Sequence, residues 1–254
     1  MLCVSNHFFF DGIDSRRYKV GLFREDWKIS SSIGLTQSME YEDASNGSTP
    51  YFKNLTRSST PLEFLVAKYD SLTETILPLD TRSRIEILGW LIQDSPKEFI
   101  DMQDEDIRLF VTFKDSTFES NRYLKGYIKI TMEVYSSYAY LPANYNVNLT
   151  RGETKTIEIW NKSNCENYIC PIIYINFTDE SSLGYFEIEN LNTHESLKVY
   201  GKPGKYTIYN QNCFINGNYD NYNGEYIKLK KGVNNIRING EGSYVFSVNN
   251  PITY

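Results

Sequence analysis

The stretch that decides the fold is His7–Phe23, which reads HFFFDGIDSRRYKVGLF. Aromatic side chains suit a pleated, half-buried surface, so Phe8–Phe10 predicts a strand. Asp11-Gly12 predicts a tight turn, because glycine adopts a positive φ without steric cost. Apolar residues resume at Val20–Phe23. We therefore expect the chain to open with a strand, a turn and a second short strand.

This apolar opening does not have the pattern of a signal peptide. A secretory signal places basic residues before an apolar segment and a small-residue cleavage site after it. Here the apolar run stops at Asp11, and Arg16 and Arg17 follow it. Elsewhere, no segment approaches the roughly 18 apolar residues of a spanning helix. We therefore expect the segment to stay and fold, and we expect no membrane span.

Composition narrows the class of protein further. A length of 254 residues fits one large or two medium domains. The chain contains 21 Tyr and 14 Phe, which favours strands over helices. Its net charge of −6 and pI near 5.1 oppose nucleic-acid binding, since neutralising phosphates requires a basic field. We expect a mainly β protein that makes no contact with nucleic acid.

A projecting hairpin is predicted around Asn46-Gly47. This dipeptide between extended flanks is the strongest short-range hairpin signal. The surrounding residues Glu42–Ser59 are polar and include Pro50, so they are too hydrophilic to form core. The apolar run Leu62–Ala67 then predicts a buried strand at which the hairpin rejoins the domain.

One helix is predicted at Asp80–Ile92. Asp80 or Thr81 can cap its first free N–H groups, and Pro96 disfavours helical geometry at Ser95 and so ends it. Apolar residues at helical spacing are expected to form the stripe that packs on a sheet. These residues are Ile85, Leu88, Leu91 and Ile92.

The second half of the chain has a different sequence pattern. Residues Tyr135–Asn148 show weak periodicity, which suggests a boundary there and domains of residues 1–141 and 142–254. Short strands separated by Gly, Asn and Asp turns then favour an antiparallel sandwich or barrel. The predicted strands are Lys155–Trp160, Pro171–Phe177, Gly184–Glu189, Ser196–Val199, Tyr206–Asn210, Gly224–Leu229, Asn235–Ile238 and Tyr244–Val248.

Candidate catalytic residues are few. The two histidines, His7 and His194, fall in different predicted domains, and no hydrolase, nucleotide or zinc motif is present. The densest acidic cluster lies in a polar region after the helix, where nothing desolvates a carboxyl group for glycosidase chemistry. A solvated acidic loop is the preferred interpretation of that cluster. Its residues are Asp101, Asp104, Glu105 and Asp106.

Metal and cofactor sites are not expected either. Residues Asn216–Glu225 carry oxygen at alternate positions, as calcium loops do, but the glycine and closing glutamate of an EF-hand are misplaced. A long hairpin loop is preferred there, and a simple turn at Gly201–Lys205. The cysteines lack zinc-site spacing and are read as reduced thiols. They are Cys3, Cys165, Cys170 and Cys213.

The succession of motifs along the whole chain resembles one family. The opening has the form FFFDGIDS-x2-Y-x-V-G-L at Phe8–Leu22, followed by the Asn46–Ser48 turn and by Ile-x-x-Trp-Leu at Ile87–Leu91. A linking passage follows at Phe110–Tyr140, and Leu229–Gly240 has the form L-x-x-G-x-N-x-I-x-I-x-G. In this order the motifs resemble the distal tail proteins of long-tailed siphophages.

This resemblance implies a structural virion protein, not an enzyme. It implies a six-fold ring at the phage tail tip, assembled in the host cytoplasm, that joins the tail tube protein to tip or baseplate proteins and to receptor-binding proteins. Residues 1–141 would be a β-sandwich with one helix that closes the ring through the hairpin. Residues 142–254 would be a galectin-like antiparallel β-sandwich on the outside. The implied subunit contacts are Asp43, Asn46, Gly47, Ser48 and Thr49.

A second interpretation remains open at the level of sequence. The aromatic-rich β texture of Gly184–Val248 is also compatible with a carbohydrate- or cell-surface-binding β-sandwich module. Fold alone does not decide between the two functions.

Overall fold

The structure is a computed structural model of the chain. It separates into two compact units, of which the first ends at Ala139 and the second comprises Tyr140–Ile252. The structure describes residues 2–5, 7–24, 35–42, 51–59, 61–70, 72–73, 75–120, 126–135, 138–164, 168–178, 184–209, 212–215, 218–219 and 221–252.

The first unit is mainly β-structure. An α-helix, α1, covers Thr81–Leu91, and a 3-10 turn covers Ser15–Arg17. The strands are β1 (Leu2–Ser5), β2 (Phe8–Phe10), β3 (Ile13–Asp14), β4 (Val20–Arg24), β5 (Leu35–Glu42), β6 (Tyr51–Ser59), β7 (Leu62–Asp70), β8 (Thr75–Ile76), β9 (Lys97–Asp101), β10 (Leu109–Ser120) and β11 (Gly126–Val134).

Nine of the strands described in this unit form one sheet, in the order β1-β4-β7-β11-β10-β9-β2-β3 with β8 paired to β7. Strand β2 buries Phe8 and Phe10. Asp11 and Gly12 have φ angles of 52° and 71°, the two positive values that a type I′ hairpin turn requires between β2 and β3. The predicted opening strand and turn are confirmed.

Helix α1 is fixed by its cap and by one aromatic side chain. The Asp80 carboxylate accepts a hydrogen bond from the Ser83 backbone N–H at 2.7 Å, which confirms the predicted cap. Trp90 stacks on Tyr18 and Phe8 with ring centroids 4.8 and 5.6 Å away. Its indole N–H donates to the Phe10 carbonyl at 3.1 Å. The helix is therefore anchored directly on the opening strand.

The predicted apolar stripe of α1 was wrong in part. The buried face consists of Ser83, Ile87, Trp90 and Leu91, whereas Ile85 is 68% exposed and Ile92 is 40% exposed. Apolar residues occur on two sides of this helix, so spacing alone was compatible with either face. Packing of Trp90 on β2 turns Ile85 outward.

The predicted hairpin has two described arms. Strands β5 and β6 pair antiparallel from Leu35 opposite Ser59 to Glu42 opposite Tyr51, with an irregularity after Glu40. Within the described residues they form a sheet of their own. The arms are therefore separate from the ladder of the main sheet, as expected of a projecting hairpin.

The second unit is built from strands. They are β12 (Ala139–Leu149), β13 (Thr154–Asn161), β14 (Tyr168–Ile169), β15 (Ile172–Phe177), β16 (Tyr185–Asn190), β17 (Ser196–Tyr200), β18 (Gly204–Tyr209), β19 (Asn212–Ile215), β20 (Asn218–Tyr219), β21 (Asn221–Gly224), β22 (Leu229–Lys230), β23 (Gly232–Asn239) and β24 (Gly242–Ile252).

Two antiparallel sheets of the second unit enclose a common core. As described, one has the order β12-β24-β15-β18-β19-β20 and the other β13-β23-β16-β17-β21, with β14-β22 as a separate pair. Side chains of both sheets meet in one buried cluster, which defines a β-sandwich and confirms the predicted fold class. The cluster includes Ile173, Ile175, Phe177, Tyr206 and Phe246 from the first sheet and Phe186, Ile188, Leu197, Ile236 and Ile238 from the second.

Two passages of the second half differ from their predictions. Asn216–Glu225 was predicted as a long hairpin loop, yet β20 covers Asn218–Tyr219 and β21 covers Asn221–Gly224. Gly224–Leu229 was predicted as a strand, but β21 ends at Gly224. Tyr226 and Ile227 are buried but belong to no ladder, so their apolar side chains were mistaken for those of a strand.

Candidate functional site

The predicted subunit-contact residues cannot be placed. Asp43, Asn46, Gly47, Ser48 and Thr49 lie outside the described residues. Because their flanking strands β5 and β6 pair with each other, the backbone does lead into and out of a hairpin at this position. The contact residues themselves stay a prediction.

The predicted acidic loop lies between β9 and β10. Asp104, Glu105 and Asp106 are exposed, whereas Asp101 is half-buried and accepts hydrogen bonds from Ser5 Oγ and the Gln103 backbone N–H at 2.9 and 3.0 Å. Burial raises the pKa of Asp101 above its ordinary value. In the described parts of the chain, no group of three or more metal-ligating side chains occurs. The loop is an exposed acidic turn whose first residue is anchored.

The two histidines lie in different units. His7 Nε2 is 3.4 Å from the Asp14 carboxylate, which also receives Arg16 in an ion pair at 2.6 Å. The hydrogen bond from Arg16 lowers the pKa of Asp14 to about 2. His194 adopts a left-handed backbone, φ 64°, in the turn between β16 and β17. We therefore assign structural roles to both histidines.

One of the predicted reduced thiols is described. Cys170 is a free cysteine that is exposed as a residue. Its thiol group is partly desolvated, and this raises the pKa of the thiol. A raised pKa disfavours the thiolate, which is the reactive form. The side chains of Cys3, Cys165 and Cys213 lie outside the described part of the structure.

A groove beside α1 was missed by the sequence reasoning. It encloses about 330 Å³ between the helix and a β-bulge of β10, where the register shifts between Lys114 and Thr117. The Arg84 guanidinium lies 4.1 Å from the Phe118 ring centroid and donates to Thr81 Oγ1 at 3.0 Å. The sequence signal that could have revealed this groove is the occurrence of apolar residues, at helical spacing, among charged residues on the outward side of α1. Lining side chains include Arg84, Ile85, Leu88, Thr117, Phe118 and Ile128.

A polar cleft of about 210 Å³ lies on the five-stranded sheet of the second unit. Arg237 forms an ion pair with Glu189 within it. On the neighbouring strand, Lys198 Nζ lies 3.5 Å from the ring centroid of Tyr185. The cleft offers hydrogen-bond donors and acceptors but no nucleophile paired with a base. It is lined by Thr154, Glu187, Glu189, Arg237 and Asn239.

Taken together, fold and sites define a class of protein. The chain has two β-rich units, a single described α-helix and one surface recess described on each unit. None of its described helices is long and apolar enough to cross a membrane. These features define a mainly β protein of two compact units.

The family follows from residues 3–136, which match the family described as "Phage tail protein N-terminal domain". The chain belongs to this family of phage tail proteins. It is accordingly a structural protein of the phage tail, and the expectation that it is not an enzyme is confirmed at the level of the family.

Solved structures share the fold along almost the whole chain. The Dit protein of phage SPP1, described as a paradigm of the hub adsorption apparatus in phages that infect Gram-positive hosts, aligns with a TM-score of 0.61 at 16% identity, covering 96% of this chain and 98% of that one. A chain from the structure of the phage P2 baseplate in its activated conformation with Ca aligns with a TM-score of 0.55 at 10% identity, covering 95% of this chain and 97% of that one. No curated protein matches the sequence. The predicted resemblance to distal tail proteins is confirmed.

Proposed function

We propose that this protein forms the distal hub of a phage tail, as a closed ring of six copies that joins the tail tube to the tip or baseplate. The observation that carries the proposal is the similarity over nearly the full length to a hub protein, combined with the family match of the first unit. Because identity to that hub is only 16%, its printed role supports the proposal by analogy of fold.

The first predicted domain, residues 1–141, contains the first compact unit as far as Ala139 and is the proposed ring-forming domain. A ring requires head-to-tail contacts between two different surfaces of the same subunit. A two-stranded hairpin is marginally stable alone, so the β5–β6 arm gains from packing on a neighbour. We assign the contact to the hairpin tip, at Asp43, Asn46, Gly47, Ser48 and Thr49.

The second predicted domain, residues 142–254, contains most of the second compact unit and is the proposed outer domain with a galectin-like sandwich. Its partners would be tip or baseplate proteins and receptor-binding proteins, while the ring itself contacts tail tube protein. Assembly would take place in the host cytoplasm before the virion is complete. No cofactor enters this function.

Negative-stain electron microscopy of the purified chain over a range of concentrations tests the ring. We expect uniform rings with a central opening, and light scattering after size exclusion should give the mass of six copies. Single particles at every concentration, with and without tail tube protein, would contradict the hub assignment.

A second candidate function is carbohydrate binding by the second unit. It is favoured by the polar cleft next to Tyr185 and the exposed Tyr200, because saccharides bind through hydroxyl hydrogen bonds and stacking on aromatic rings. Calorimetric titration of the full chain with host wall polysaccharide tests it. Binding that is lost in Tyr200→Ala and kept in Tyr209→Ala, an exposed tyrosine outside the cleft, would support this function; absence of binding removes it.

A further inference from the structure

We infer that the groove beside α1 of one copy receives the acidic loop Asp104–Asp106 of the next copy. This inference rests on the proposed ring and names the two surfaces that meet in it. Both surfaces belong to the first unit, and sequence reasoning assigned a partner to neither.

Among the described residues that line it, the groove combines apolar walls with one cationic side chain. Ile85 and Leu88 of the helix and Ile128 of β11 supply the apolar part, and Ile85 is exposed well beyond what core packing would leave. Arg84 supplies the charge. Its hydrogen bonding within the described residues consists of the bond to Thr81, so terminal N–H groups remain for a carboxylate.

The charged side chains next to the groove already have partners within α1. Arg82, one residue outside the groove lining, is engaged with Glu86 along the helix at 2.9 Å. Asp80 accepts the cap hydrogen bond from Ser83. Arg84 is therefore the charge that the groove presents to an incoming acidic segment.

The acidic loop has the complementary chemistry. Asp104, Glu105 and Asp106 are exposed, and the half-buried Met102 and Ile107 flank them with apolar surface. Backbone hydrogen bonds from Asp104 N to Asp101 O and from Ile107 N to Asp104 O hold the turn. The loop is thus shaped before it meets a partner, which limits the entropy lost on binding.

The two surfaces lie at opposite ends of one strand. The acidic loop leads directly into the start of β10 at Leu109, whereas Phe118 in the groove is near its end. At about 3.3 Å per residue, roughly 25–30 Å of strand separates them. A subunit cannot fill its own groove with its own loop across that distance. Complementary surfaces at opposite ends produce head-to-tail contacts, which close into a ring when the rotation permits.

Complementation between two charge-reversal variants tests the contact. Arg84→Glu and the double variant Asp104→Lys with Asp106→Lys are purified separately, checked for wild-type melting temperature, and examined by light scattering and electron microscopy. Each variant alone should need at least ~10-fold more protein to assemble, because like charges then face each other at every contact. An equimolar mixture should form rings again, since alternating copies restore opposite charges at each contact.

Matched reversals on the second unit serve as controls. Arg151→Glu matches the charge change of Arg84→Glu, and Glu158→Lys with Glu225→Lys matches that of the double loop variant. All three positions are exposed, and both control variants should leave assembly unchanged. The neutral variant Arg84→Gln replaces Arg84→Glu if the latter misfolds, and it should give an intermediate loss of assembly. Wild-type assembly should also weaken as salt is raised, because exposed charges are screened.

The outcomes separate this inference from the function on which it rests. Wild-type rings together with rings from every single variant at the wild-type concentration would overturn the groove contact and leave the hub assignment standing. Variants that fail alone and also fail when mixed would overturn it as well. A wild-type chain that never forms rings would overturn both.

Discussion

Two buried asparagines of the second unit, Asn190 and Asn234, form hydrogen bonds with the backbone around β22. Asn234 donates from Nδ2 to the Lys230 carbonyl at 2.7 Å, and its Oδ1 accepts from the Lys230 N–H at 2.8 Å. Asn190 donates to that same Oδ1 and to the Lys228 carbonyl, at 3.1 and 2.6 Å. Both asparagines are fully buried. These side chains provide hydrogen-bond partners for backbone groups of Lys228 and Lys230.

Replacing Asn234 should therefore be costly. In Asn234→Ala the part-buried peptide groups of Lys230 lose the partners that Asn234 gives them and a buried side chain is removed, so we expect the free energy of unfolding to fall by about 2–4 kcal/mol. Urea denaturation followed by circular dichroism measures it. Asn223→Ala, at an exposed position, should stay within about 0.5 kcal/mol of wild type. A loss below about 1 kcal/mol for Asn234→Ala would indicate that water replaces the side chain.

Two carboxylates near the opening strand respond to pH in opposite directions. The pKa of Asp14 is lowered to about 2 by its hydrogen bond with Arg16, so Asp14 stabilises the folded state above its ordinary pKa of 3.8. That contribution is lost as the pH falls toward 2. The pKa of Asp101 is raised by burial, so its charged form is penalised on folding and the folded state gains as this group is protonated.

Isosteric amides should reveal this difference. Asp101→Asn keeps an oxygen that accepts from Ser5 and Gln103, and we expect it to be at least as stable as wild type at pH 7. The advantage should shrink as the pH falls through the raised pKa and vanish below 3.8. Asp14→Asn should be less stable than wild type at pH 7, and that deficit should shrink between pH 3.8 and 2. Melting temperatures across this range measure both, and parallel profiles for all three proteins would contradict the assignment.

At the scale of elements, the two sides of α1 should respond differently to truncation. Ile87→Ala opens a cavity beneath the helix and should lower the free energy of unfolding by about 2–5 kcal/mol. Ile85→Ala removes an exposed side chain and should change it by less than about 0.5 kcal/mol. Chemical denaturation of the two variants makes the comparison. Equal losses would mean that the helix is rotated relative to the observed face.

The hairpin between β5 and β6 should matter for assembly and not for folding. Deleting Asp43–Thr49 is expected to leave the melting temperature of the first unit unchanged, because these polar residues do not resemble core, and to impair ring closure. Light scattering and melting curves measure the two effects. Replacing the same residues by Gly and Ser is the matched control. Recovery of rings in that control would mean that loop length, and not the named residues, is what closes the ring.

Several elements could be predicted from local chemistry. Asp11-Gly12 specifies its turn through two positive φ angles, and Asp80 specifies the start of α1 through its side chain. The outward face of α1 could not be predicted, because Trp90 chooses the buried side through contacts with β2, distant in sequence. Residues Gly224–Leu229 were misread for a related reason, since Tyr226 and Ile227 are buried in the sandwich core without belonging to a ladder.

At the scale of the molecule, the two compact units should unfold separately. Each has its own core, so calorimetry of monomeric wild type should show two transitions, and a fragment of residues 138–254, which includes all of β12, should fold alone. Asn234→Ala should lower the second unit's transition only. A single transition that moves as a whole in this variant would show that the units depend on each other.

The overall architecture could be predicted from the sequence because the same local patterns recur along the chain. Alternation within strands and turn residues between them predicted a mainly β fold, and the order of motifs predicted the family. The groove lined by Arg84 and Phe118 was not predictable, because it joins a helix, a β-bulge and a third strand that have no common periodicity. A surface of this kind exists only once the chain has folded.

The pairing of β12 with β24 has a consequence for how the protein can be extended. These are the first and last strands of the second unit, and the Asn250 amide donates to the Leu141 carbonyl at 2.9 Å. The chain thus leaves this unit close to the point where it enters. A fluorescent label or cargo domain fused beyond Ile252 would begin beside that entry point, and the loops at the unit's other end would remain uncovered for whatever they meet.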